Sequence, residues 1–302
     1  MASKVQRKVS LQRILLIALL VVVLIQGLLP LSALVASGVR ETLENNAVEV
    51  DTHMVDNRKV TLQSAMTTQW NGIAKESTYL NNQLESFLSQ NHVDMNAFLA
   101  NKDLQRAYTA QVYPEMLDYS RRDQTCGDFL VLANDASTDS AATYEGMFLR
   151  DSEPTTIADS NSDLLLERGD TSLARQQNIS LDSPWMPAFN FAGNGNRSAD
   201  DFFYQPYLAA QQYQDIDTAS LGYWSMPFVL EGSETDNHEM ITYSVPLRYQ
   251  GQVYGVVGIE VSTNYLLKTY FSVKELDSSQ NAGYLLAIDK GNNEYDCITG
   301  TG

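Results

Sequence analysis

The sequence predicts an α+β fold in three parts: an N-terminal transmembrane helix, a long stalk helix, and an antiparallel sheet in the second half of the chain. Three observations carry this. Ile14 to Val39 is a run of 26 residues without a charge, and about 20 apolar residues suffice to cross a bilayer. Glu41 to Gln90 holds no proline and a single glycine, Gly72, and its apolar residues fall on one helical stripe. Tyr223 to Leu230, Met240 to Tyr249 and Gln252 to Ser262 are apolar runs separated by polar joints, the spacing of a strand meander.

The N-terminal part divides at its charges. Lys4, Arg7, Lys8 and Arg13 precede the apolar run and acids follow it, so residues 1–13 are expected in the cytoplasm, 14–39 in the membrane and the rest outside. A cleaved signal peptide, with Ala36-Ser37-Gly38 at the cut, is the competing reading; its apolar core would be about 7–15 residues, shorter than this run. Pro30 is tolerated, since neighbouring groups in a membrane helix re-satisfy the freed carbonyl.

Residues 40–120 are assigned to the stalk helix and a second helix. Val48, Val55, Leu62, Met66, Trp70, Ile73, Leu80, Leu84 and Phe87 step by sevens, fours and threes, and about 50 helical residues would extend ~75 Å. A plain core helix of a bundle is the alternative. The second helix is expected over Asp94 to Tyr119, with Asp94 as N-cap and Pro114 breaking or kinking it.

Residues 121–272 form the sheet module. Phe129 to Ala133 reads as a buried strand. Residues 134–200, rich in Asp, Ser, Asn and Gly, read as an irregular flap with a short helical patch at Leu164 to Arg168, ended by Gly169. A helix is expected over Thr263 to Tyr270. Residues 273–302 then begin a second, truncated module with a hairpin of Gly283 to Asp289 and Glu294 to Ile298, so the chain reads as a fragment or an early-ending product.

Composition narrows the function. At 44% hydrophobic residues the chain can bury a core. It carries +5 before Glu41 and −22 from there on, which disfavours nucleic acid as a partner. Cys126 and Cys297 are too few for a disulfide framework; two buried free thiols are expected, one long-range bridge being the alternative. His53, His92 and His238 have no ligand spacing for zinc, and no hydrolase elbow, P-loop or kinase signature occurs. Gly193-Asn194-Gly195 lies in a polar loop, not after a strand. Asp159, Asn161 and Asp163 match the first ligands of a calcium loop, but Leu164 stands where that loop needs Gly; Ser160 to Asp163 fits a helix-capping box instead. Asn178-Ile179-Ser180 is a glycosylation pattern frequent by chance. No cofactor, metal or catalytic residue is expected, and the chain does not read as an enzyme.

Aromatic density stands out: Phe202, Phe203, Tyr204 and Tyr207 in one group, Tyr223, Trp224 and Phe228 in another, with Trp185 and Phe189 nearby. Aromatics with a few placed polar groups line small-molecule pockets, and Asp200, Asp201, Tyr243 and Glu260 are candidates to converge on them. Plain core is the competing reading for each ring.

Thr242-x-x-x-Pro246 followed by Gly255-Val256-Val257-Gly258-Ile259-Glu260 resembles the closing hairpin of the double Cache (dCache) sensor family, extracellular domains of bacterial membrane receptors built from two PAS-like modules on a long helix. Phe203-Tyr204 to Ala210 is similar to the family's Trp-Tyr-x-x-Ala element, and Leu221 to Phe228 to the strand between. The resemblance spans about residues 40–270. It implies a membrane-distal PAS-like (Cache) module, and in the amino-acid-binding branch an Arg and an Asp that hold the ligand's carboxylate and ammonium, with a Tyr between. Here Asp201 replaces the Arg, Phe228 the Tyr and Glu260 the Asp. Two anions suit a cationic or hydroxyl-rich ligand, with Phe203, Tyr204, Trp224, Phe228 and Tyr243 offering ring faces.

The resemblance therefore implies an extracytoplasmic small-molecule sensing domain, membrane-embedded by its N-terminal helix and able to form a homodimer through the stalk. The alternatives are the N-terminal fragment of a sensor enzyme (histidine kinase or diguanylate cyclase) and a surface structural module without a ligand.

Overall fold

A computed structural model of the chain describes residues 11–36, 38–151, 153–156, 161–193, 196–232, 238–271 and 283–300. Ser37, Asp159, Ser160, Asn194, Gly195 and residues 273–282, on which several expectations fall, lie outside them. The chain forms two compact units, Met1–Val60 and Thr61–Gly302. The first contains α1 (Leu11–Ala36), with Pro30 inside it. Its first 20 residues, Leu11–Pro30, are long and apolar enough to cross a membrane.

Helix α2 is one element of 53 residues, Val39–Asn91, as the absence of helix breakers predicts. Its stripe does not have one environment. Val48 is 64% and Val55 54% exposed, whereas Ile73, Leu80, Leu84 and Phe87 are buried. Only the later part of the helix is therefore a core helix. The second helix is split in two, α3 (Met95–Ala100) and α4 (Lys102–Asp123). Asp94 caps the first, accepting from Ala97 N at 2.8 Å. Asn101, in extended conformation, caps the second by accepting from Asp103 N and Leu104 N, so the break falls at this Asn. Pro114 lies within α4 and does not end it.

The sheet uses β1 (Gly127–Leu132), β3 (Gly146–Asp151), β4 (Leu164–Arg168), β5 (Ser180–Met186), β7 (Tyr223–Trp224), β8 (Met240–Tyr249) and β9 (Gln252–Ser262), in the order β5-β4-β3-β1-β9-β8-β7. Short strands β2 (Ala142–Tyr144) and β6 (Phe189–Phe191) pair beside it. Helices α5 (Thr171–Gln176), α6 (Asp201–Gln212) and α7 (Thr263–Tyr270) complete the module, and β10 (Leu285–Gly291) pairs with β11 (Glu294–Gly300). Two expectations are corrected. Leu164 to Arg168 is a strand, not a helical patch: Leu164 and Leu166 face the core while the segment pairs antiparallel with β3 and parallel with β5. Residues 134–200 are accordingly not a flap, since they supply three strands of the main sheet. Of the strand expected over Tyr223 to Leu230, only Tyr223–Trp224 is ladder; Phe228 makes an isolated bridge to Met240. Both cysteines are free, Cys126 buried but Cys297 exposed rather than buried.

Alternating side chains give the sheet two apolar faces. On one, Leu130, Leu149, Leu166, Val245, Val257 and Ile259 pack with α2, α3 and α4 through Leu80, Phe98, Tyr108 and Met116. On the other, Phe129, Val131, Phe148 and Val256 meet Phe202, Phe203 and Tyr207 of α6.

Gly146, with φ +154°, opens β3 and pairs with Val131 of β1. A Cβ there would sit 2.0 Å from Leu130 O, a backbone atom that cannot step aside. Gly146→Ala is expected to cost about 3 kcal/mol, read as a lowered melting temperature of the detergent-solubilised chain.

A second close approach marks the α2–α4–β1 junction. A Cβ on Gly72 would meet Asp123 Oδ2, so the one glycine of α2 lets the Asp123 carboxylate lie on the helix. Beside it Glu76 and Asp128 are buried. Thr125 donates to Asp128 Oδ2, while Glu76 Oε1 has no hydrogen-bond partner among the described residues. Burial first, then neighbouring Asp carboxylates, raises both acids, Asp128 to about 7.

Candidate functional site

The seven sequence-chosen residues fall into separate places. Phe203 and Tyr204 are buried on α6 in a filled ring cluster: Phe203 stacks on Tyr207 at 5.1 Å and lies 4.9 Å from Tyr144. Phe228 joins this cluster by stacking on Phe202 at 5.4 Å. Trp224 and Tyr243 pair with each other at 5.0 Å, and Tyr243 belongs to the helix-facing core. Asp201 opens α6, where Gln205 Nε2 donates to its carboxylate at 3.4 Å. Asp200 is buried, accepting from Ala192 N and Arg197.

A one-residue irregularity separates Tyr243 from Glu260. The tight turn pairs Tyr249 with Gln252, which continued unbroken would set Ile241 opposite Glu260 and put Tyr243 on the same face. The ladder slips between Leu247 and Arg248, so Thr242 faces Glu260 and Tyr243 faces Ile259. Such a bulge moves a whole set of side chains to the other face.

Glu260 instead enters a buried charge cluster. Its partner is Arg150 on β3, 6% exposed. Arg150 reaches Glu260 Oε2 by Nε at 3.3 Å, Glu167 Oε2 by Nη2 at 2.7 Å and Asp182 Oδ2 by Nη1 at 3.1 Å. Nη1 also contacts His238 Nδ1. One cation thus serves three carboxylates, on four strands brought together by the sheet order. Arg168, next along β4, donates to the carbonyls of Glu167, Pro184 and Glu231. Arg197 ties Asp200 to Glu231 at 2.8 and 3.3 Å.

Burial pushes the Glu260 carboxyl up to about 7, Arg150 opposing it and Glu167 adding to it. Arg150 is held charged, its three carboxylates outweighing its burial. Arg150, Glu167 and Asp182 escaped the sequence reading. For Arg150 and Glu167 the signal was a charge inside an otherwise apolar strand, in Gly146 to Arg150 and in Leu164 to Glu167; Asp182, in the polar run Ser180 to Ser183, gave none. Asn161 and Asp163, two of the calcium-loop candidates, both bind Arg121, and no group of acids, His or Cys among the described residues is placed to hold a metal.

An open cavity of about 280 Å³ lies elsewhere, between α4, the start of β3, the β4–α5 turn and the end of β5. Arg106, Glu145, Asp170, Leu173 and Trp185 line it.

Residues 131–268 match the sequence model of the family described as methyl-accepting chemotaxis protein-like, first PDC sensor domain. No curated protein matches the chain. Among solved structures, the extracellular domain of soHK1S-Z6, described as a histidine kinase, is 16% identical with a TM-score of 0.35, covering 79% of this chain and 72% of that one. The sensory domain of the Campylobacter jejuni chemoreceptor Tlp3 is 9% identical with a TM-score of 0.29, covering 82% and 74%. A structure named methyl-accepting chemotaxis protein X is 12% identical with a TM-score of 0.34, covering 82% and 90%.

Proposed function

We propose that this chain, whose residues 131–268 match the model of a first PDC sensor domain, is the extracytoplasmic small-molecule sensing part of a membrane-bound bacterial signal-transduction receptor. The family match of that segment is the observation that carries the reading. The apolar Leu11–Pro30 helix supports a membrane anchor, and the basic residues before it support a cytoplasmic N-terminus. Exposed Leu43, Val48, Val50, Val55 and Val60 of α2 support pairing with a second copy.

For the ligand, the Arg150–Glu260 cluster favours a cation. Glu167, Asp182 and Glu260 outnumber Arg150 and the neighbouring Arg168, and the raised Glu260 carboxyl holds a proton that an incoming cation would replace. Phe203, Tyr204 and Phe228 lie on the same side of the sheet as Glu260, whereas Tyr243, with Trp224 against it, lies on the other. The test is a thermal-shift screen of the full chain in detergent against amines, amino acids, purines and small carboxylates. A ligand at a hundred times its Kd stabilises by about 2.7 kcal/mol. The hit is expected to be a cation, to bind tighter at pH 8 than at pH 6, and to lose roughly tenfold affinity in Glu260→Gln at pH 8, where a charge contact of about 1.4 kcal/mol is removed. A dicarboxylate as best hit, or an unchanged affinity in the Gln variant, would overturn the cation reading.

A further inference from the structure

We infer that the 280 Å³ cavity walled by Trp185, Leu173 and the Arg106–Glu145 pair is a second ligand site, taking a small organic ammonium ion. It is separate from the Arg150 cluster and does not depend on it. Its volume is at the lower edge of small-molecule pockets, about 300–1,000 Å³, which suits a ligand of a few carbons.

The polar groups of the wall are already fixed, and this decides the sign of the charge they accept. Arg106 donates from Nε and Nη2 to Glu145 at 3.0 and 2.9 Å, and from Nη1 to Asp103 at 3.4 Å. Glu145 is buried, so its charge is spent on Arg106 and that of Arg106 on Glu145. A ligand carboxylate would have to displace Glu145 from the guanidinium. Asp170 remains, and the lining carries one more carboxylate than cation. The Asp170 charge is close enough to act on both Arg106 and Tyr113. Tyr113 carries a buried hydroxyl without a hydrogen-bond partner among the described residues.

Trp185 is fixed as well. Its Nε1 donates to Gly169 O at 3.1 Å, which leaves the indole ring, rather than its N–H, to meet a ligand. An indole face beside an unbalanced carboxylate binds ammonium groups through the ring quadrupole, with about 0.5–2 kcal/mol from the ring. A chain at −22 beyond residue 40 also gathers cations around itself.

The indole N–H resonance of Trp185, identified among the chain's three tryptophans by Trp185→Phe, reports occupancy. In detergent-solubilised full chain it is expected to shift saturably with tetramethylammonium and propylammonium and to stay put with propionate and propanol. Asp170 caps α5 through Ser172 N, and Asn caps about as well as Asp, so Asp170→Asn should melt like the parent chain. It should nonetheless weaken ammonium binding by roughly fivefold or more, the ion having lost the charge that holds it over the ring. Glu260→Gln is expected to leave the Trp185 titration unchanged. The site is overturned if propionate binds as well as propylammonium, if no shift occurs with either ammonium ion, or if Asp170→Asn binds like the parent. Loss of the shift in Glu260→Gln would assign it to the Arg150 cluster and also overturn a separate site. A chain that shows the Trp185 titration but no ligand sensitive to Glu260→Gln would keep this site while removing the cation reading of the cluster.

Discussion

Arg150→Leu is expected to cost about 3–5 kcal/mol at pH 8, the loss that follows when one partner of a buried ion pair is removed. Glu167, Asp182 and Glu260 would then share a buried space without the guanidinium that reaches all three. Each would favour its protonated form more strongly in the folded chain than in the unfolded one. Folding would take up protons, so stability would recover as pH falls. Melting curves at pH 8 and pH 5 should show a large deficit at the first and a smaller one at the second. Adding Glu260→Gln to Arg150→Leu should return part of the loss at pH 8. A single variant that melts with the parent at pH 8 would mean that the cluster is not closed to water.

Neutralising the acids at the α2–α4–β1 junction should act in the opposite direction. Asp128 is raised from 3.8 to about 7 chiefly by burial, and Glu76 is raised by burial and by Asp128. A carboxyl whose folded value lies above its unfolded one contributes stability that is complete below about pH 4 and is lost as pH climbs through its folded value. Each unit is worth about 1.4 kcal/mol, so the displacement of Asp128 bounds its effect at about 4 kcal/mol. Glu76→Gln and Asp128→Asn are therefore expected to stabilise the chain at pH 8, by about 1–4 kcal/mol, and to change little near pH 4. An unchanged or lowered melting temperature at pH 8 for both would show that the carboxylates are held by partners rather than tolerated.

Much of the architecture was legible where local pattern and turn chemistry agree. Met240–Tyr249, Gln252–Ser262 and Thr263–Tyr270 are elements at the expected boundaries, because apolar runs broken by Gln250-Gly251 leave little choice. Leu164 to Arg168 misled because three Leu, a Glu and an Arg are good helix formers; its strand state comes from partners on β3 and β5. The candidate site was less legible for two physical reasons. Arg150 lies 110 residues from Glu260 and 32 from Asp182, and no spacing rule reports such a contact. The slip at Leu247/Arg248 reverses the facing of Tyr243 relative to Glu260, and a bulge leaves only a faint mark in composition.

The place of β9 between β1 and β8 in the strand order has a consequence for biosynthesis. One edge of β1 is closed early by β3, fourteen residues on from its end, but the other waits for β9, beginning 120 residues after Leu132. At about 5–20 residues per second of synthesis, the open edge lasts roughly ten seconds. During that interval the emerging chain presents unpaired backbone flanked by Phe129 and Val131, a template for joining another chain. The module cannot close strand by strand from its N-terminus, and its folding is set by the arrival of its last strand pair.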